Sequence, residues 1–116
     1  NSTSPSTLDA VRKIIDANDR VVIIADSNHS EDHVFEELES YFGFLKKGDY
    51  FIVMDTIIEF IPPDIGKLKR KWGPGNSPFS AIKKFHLNYP EIFRHDSEIE
   101  ERALISSAPY GYLVRK

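Results

Sequence analysis

The 116-residue chain sets 15 Lys and Arg against 18 Asp and Glu, a net charge of −3, which leaves no basic footprint for nucleic acid. Its 41% hydrophobic and 28% charged residues are those of a globular protein in water, and no apolar run approaches the roughly 20 residues that span a bilayer. Cysteine is absent, which excludes disulfides, thiolate metal sites and a Cys nucleophile. The polar opening NSTSPSTLD is not that of a secretory leader, so the expected location is the cytoplasm.

In chain order, Ser4 is placed to cap a first helix, with Pro5 in its first turn and Leu8, Val11 and Ile15 on one face. The helix is expected to end near Ala17, before the turn pair Asn18-Asp19. The run Val21 to Asp26 then predicts a strand covered on both faces, as in parallel sheets. A second helix is expected from about Glu31 to Lys47, with Val34, Leu38, Tyr41, Phe42 and Leu45 inward. Glu31 and Asp32 at its start and Lys46-Lys47-Gly48 at its end suit the helix dipole. Tyr50 to Asp55 repeats the pattern of an apolar run ending in Asp. Strand, helix, strand is a right-handed crossover unit, so Asp26 and Asp55 are expected to emerge on one edge of one sheet.

Residues 57 to 77 read as a long Pro- and Gly-rich loop of the kind that forms a substrate wall. A third helix is expected after Ser77 and Pro78, with Phe79, Ile82, Phe85 and Tyr89 inward. A short strand at Phe93 to His95, an acidic helical turn at Ser97 to Leu104 and a last strand at Tyr110 to Val114 complete an α/β reading.

Two carboxylates at adjacent strand ends suit a hard divalent cation such as Mg²⁺, which takes a few carboxylates and keeps waters for substrate. His29 and His33 stand four apart, but the HExxH pattern of a helical zinc pair is missing. His29, in the loop before the helix, is the better placed for proton transfer. The basic run Lys67 to Trp72 suits either an anionic substrate or simple solvation. GPGNSP at 73 to 78 lacks the spacing of a nucleotide cradle and reads as a loop-shaping element.

The string DSNHSEDHVFEELESYFGFLKKGDYFIVMDT, then GPG, AIKKFHLNYPEIF and the terminal GYLVRK, resembles the cephalosporin hydroxylase family, which includes rhamnosyl O-methyltransferases. The resemblance implies a Rossmann-like class I methyltransferase sheet, S-adenosylmethionine as cofactor and a divalent cation. It implies that Asp26 is the metal-binding acid after the fourth strand, and a cofactor-side residue as well. Asp55 matches the second acid of a Glu-Asp pair after the fifth strand, and the first acid is replaced by Met54, a poor ligand for Mg²⁺. Ser2 and Thr3 fall where the family's chain passes near the adenine. The glycine-rich loop and acid that hold the rest of the cofactor have no counterpart in these 116 residues. By resemblance the chain is therefore a single partial domain, the C-terminal half of the fold, with strands four to seven in the order 4-5-7-6. Its first strand would lie at an open edge.

The expected function is S-adenosylmethionine-dependent O-methylation of a sugar or other small hydroxylated metabolite, with His29 and Asp26 catalytic and Asp26 and Asp55 on the metal. The chain alone is expected to be inactive, and to form a homo-oligomer or meet a partner chain that completes the sheet. The alternative is a non-catalytic α/β module that dimerises through the open edge.

Overall fold

The structure is a computed structural model that describes residues 1–62 and 70–116. Helix α1 spans Pro5–Ile14, with Ser4 Oγ accepting from the Thr7 amide at 3.3 Å. It stops three residues short of Ala17 because Asp16 and Asp19 close a turn: Asp19 Oδ2 accepts the Asp16 amide at 2.8 Å, and the Asp19 amide donates to Asp16 O at 3.1 Å. Leu8, Val11 and Ile15 are only half-buried, and Ile14 is 79% exposed.

Strand β1 (Val22–Ala25) pairs in parallel with β2 (Tyr50–Val53), Val22 lying opposite Tyr50 and Ala25 opposite Val53. Between them runs α2 (Glu31–Tyr41), extended by a 3-10 turn over Phe42–Phe44. This helix ends six residues before Lys47, at a segment containing Gly43, and glycine is a poor helix former. The expected closing residues instead make the next turn: Gly48 adopts φ +85°, and Asp49 Oδ2 accepts the Lys46 amide at 2.9 Å.

After β2 come a 3-10 helix over Thr56–Phe60 and then α3 (Pro78–Asn88). The start of α3 is a reciprocal cap, Ser77 Oγ accepting the Ser80 amide and Ser80 Oγ accepting the Ser77 amide. Strand β3 (Phe93–His95), α4 (Ser97–Ala103) and β4 (Tyr112–Arg115) follow. β4 lies antiparallel between β2 and β3, so the sheet order is β1-β2-β4-β3. That is the expected 4-5-7-6 order.

The core lies on one face of this sheet. Phe51, Val53, Phe93 and Leu113 meet Val34 and Leu38 of α2 and Ala81, Ile82 and Phe85 of α3. The expectation that β1 is covered on both faces is not met. Ala25 is buried and Ile23 packs on the core, but Val22 and Ile24, on the other face, are 59% and 61% exposed. β1 is the edge strand, and among the described residues nothing pairs with its outer side.

Candidate active site

Because β1 and β2 are parallel, the loops that leave them share one edge of the sheet. Asp26 stands directly after β1 and is exposed. Asp55 follows β2 by two residues in the left-handed region, φ 55° and ψ 25°. Asp tolerates this region better than most side chains because it can bond locally, though the region still costs about 1–2 kcal/mol. The fully buried Thr56 fixes that turn, its hydroxyl donating to Pro109 O at 2.6 Å.

His29, from the loop between β1 and α2, reaches across the edge. Its Nε2 donates to Asp55 Oδ2 at 2.8 Å. The imidazole stacks on the indole of Trp72, with ring centroids 5.4 Å apart and planes 27° apart. Asp26, His29 and Asp55 each present one ligand atom, and these atoms lie within 4.8 Å of one another. Two carboxylates at that spacing fit a divalent cation, and the imidazole of His29 stands beside them. Met54 brings only a thioether, so the hard donors are Asp26 and Asp55.

The other expected residues lie in a separate group. Ser2 Oγ is 3.2 Å from His33 Nε2, and the Thr3 hydroxyl and amide both donate to Asn1 Oδ1 at 3.2 Å. His33, the second member of the His29/His33 spacing, does not join Asp26 and Asp55. Its Nε2 lies 2.9 Å from Ser27 Oγ and 3.4 Å from Glu37 Oε1, and Ser27 Oγ donates to Glu37 Oε1 at 2.7 Å. Glu37 is buried, and its Oε2 has no hydrogen-bond partner among the described residues. It lines a cavity of about 160 Å³ with Ser2, Ile23, Ile24, Ala25, Tyr41 and Phe51, beside the free edge of β1.

The sequence marks Trp72 only as the end of a basic run and does not reveal its place over His29. The one available signal is that the chain's single tryptophan immediately precedes GPG. Lys67 and Lys69 of that run lie outside the described residues, and Arg70 and Lys71 are exposed.

An α/β half-sheet whose parallel strands deliver two acids and a histidine to their carboxyl edge has the architecture of a Rossmann-like enzyme site. The family model described as rhamnosyl O-methyltransferase/CmcI matches residues 1–116, and the chain belongs to that family. It is 32% identical over 116 residues to the rhamnosyl O-methyltransferases of Mycobacterium tuberculosis (strain ATCC 25618 / H37Rv) and Mycobacterium bovis (strain ATCC BAA-935 / AF2122/97). That match covers 99% of this chain and 44% of each relative. The Mycobacterium leprae (strain TN) enzyme of the same name is 28% identical, with 99% of this chain and 48% of the relative covered. The chain thus spans about half the length of the curated relatives it matches. No solved structure gives a significant match, and among the described residues no helix is long and apolar enough to cross a membrane.

Proposed function

We propose that these residues form the acceptor-activating half of a cytoplasmic, S-adenosylmethionine-dependent O-methyltransferase acting on a sugar hydroxyl or a similar small hydroxylated metabolite. The observation that carries the reading is the convergence of Asp26, His29 and Asp55 on the carboxyl edge of two parallel strands. The relatives are rhamnosyl O-methyltransferases, which supplies the reaction class.

Asp26 and Asp55 would hold a divalent cation, of which Mg²⁺ is the first candidate. When bound, such an ion lowers the pKa of an oxygen it contacts and offsets the developing negative charge. S-adenosylmethionine supplies an electrophilic methyl group. The chain's own side chains then have two tasks. Asp55 fixes the imidazole of His29 through Nε2–H, which leaves Nδ1 as the lone pair that accepts the proton of the acceptor hydroxyl. Holding the acceptor in line is the larger contribution, since positioning alone can supply several kcal/mol. Ser2 and Thr3 are assigned to the adenine side of the cofactor, with Asp26 between cofactor and acceptor.

The chain is read as one partial domain whose sheet is completed beyond β1 by a further strand, from a longer parent chain, a partner or a second copy. Exposed Val22 and Ile24 and the orphaned Glu37 oxygen support that placement. A buried acceptor without a donor costs about 1–3 kcal/mol, which a strand amide or side chain arriving at this edge would relieve. The test is transfer of radiolabelled methyl from S-adenosylmethionine to rhamnosides by the longest polypeptide that contains these residues. Label in the sugar that disappears with Asp55→Asn supports the reading; an active polypeptide indifferent to Asp26→Asn and Asp55→Asn overturns it.

A further inference from the structure

The segment from Trp72 to Ser77 does more than shape a loop. Gly73 and Asn76 bridge through two backbone hydrogen bonds of 3.0 and 2.9 Å, with Gly75 at φ +83° at the bend. Asn76 then works in two directions. Its Nδ2 donates to Lys71 O at 2.9 Å, fixing the residue beside Trp72, and its Oδ1 accepts the amide of Glu31 at 2.9 Å. Glu31 is the first residue of α2, and Ser30, at the N-cap position, makes no side-chain capping bond. Asn76 therefore caps α2 from 45 residues away in sequence, satisfying one of the amides that a helix start leaves free. On the other side Glu59 Oε2, from the 3-10 helix that begins one residue after Asp55, accepts the Gly75 amide at 2.9 Å and the Ser77 hydroxyl at 2.6 Å.

One turn is thus fastened to both elements that carry the site. α2 continues the loop holding Asp26 and His29, and the Thr56–Phe60 helix continues from Asp55. The same turn stacks Trp72 on His29, the ring planes 27° apart. We propose that this turn is the positioning device of the site: Trp72 fixes the plane of the His29 imidazole, and Asn76 and Glu59 fix Trp72. Trp72 and Asn76 are positioning residues that act through His29. The inference deepens the proposed function, since it concerns the same His29, but its geometry needs neither cation nor cofactor.

That independence defines the test. Proton NMR of the ligand-free chain resolves the ring signals of its four histidines, and loss of one set in His29→Ala assigns His29. An indole stacked on the ring displaces the His29 signals upfield. Trp72→Ala should abolish the displacement, while Trp72→Phe should keep a reduced one. Asn76→Ala should shrink it and also speed hydrogen exchange at the Glu31 amide, with the signals of His33, His86 and His95 unmoved. If Trp72→Ala unfolds the chain, Trp72→Phe and Asn76→Ala still decide. His29 signals that ignore Trp72, or an Asn76→Ala chain with His29 and the Glu31 amide unchanged, overturn the proposal. A failure to transfer methyl groups would count against the enzymatic reading and leave this result standing.

Discussion

Asp26 and Asp55 are brought together by parallel pairing, and His29 reaches them only because the loop after β1 turns back over the edge. If these side chains hold a cation, replacing either acid removes a first ligand. Asp26→Asn and Asp55→Asn are each expected to weaken divalent-cation binding more than about tenfold, a factor that even outer partners of a metal can reach. Calorimetric titration of each variant checks this. Two other acids contribute to the pH response. At Asp49, burial pushes the carboxyl up, but the Lys46 and Val21 amides and the Arg20 guanidinium outweigh it and hold it below its usual range. At Asp96 the Tyr50 hydroxyl is the main cause of the same downward shift, opposed by burial and helped by the Ile99 amide. Groups whose folded pKa is depressed lend stability that is complete above the unfolded value, about 3.9 for Asp, and is lost as the pH falls through the folded value. Urea unfolding is therefore expected to show lower stability at pH 3 than at pH 6. Asp49→Asn should flatten that dependence.

Among the elements, the residue leading into β4 lies close against the end of β2. The Val53 amide donates to Gly111 O at 2.9 Å, and a Cβ on Gly111 would meet the Val53 carbonyl oxygen at 2.2 Å. Backbone cannot yield there as a side-chain tip would, so Gly111→Ala is expected to destabilise by about 2 kcal/mol, within the range for overpacking. Its thermal midpoint against that of the parent chain is the measurement. β1 makes the opposite case, a strand with one face and one edge uncovered. Ile24→Lys should keep the fold, because Ile24 is off the core, and should reduce self-association through the edge, because Lys blunts exposed strands. Sedimentation velocity of the two chains decides: equal association would assign it to some other surface.

Across the whole molecule, the parallel pair and the shared edge for Asp26 and Asp55 were legible from two apolar runs ending in Asp and the handedness of the crossover between them, and the order of the remaining strands only from the family resemblance. The exposed face of β1 was not, because a short apolar run has the same composition whether one face or both are covered. Nor was the His29–Trp72 stack, which joins residues 43 positions apart through a turn fixed by Asn76 and Glu59. No local period encodes such a contact. Helix ends shifted for local reasons, Asp19 closing a turn behind α1 and Gly43 following α2.

The proposed site of Asp26, His29 and Asp55 rests on a bound divalent cation. Its most direct test is Mn²⁺ binding to the purified chain, read from the electron paramagnetic resonance of the free ion. One bound equivalent that is lost in Asp55→Asn, while the variant keeps the parent's thermal midpoint, is the predicted result. No binding, or binding untouched by that substitution, would contradict it.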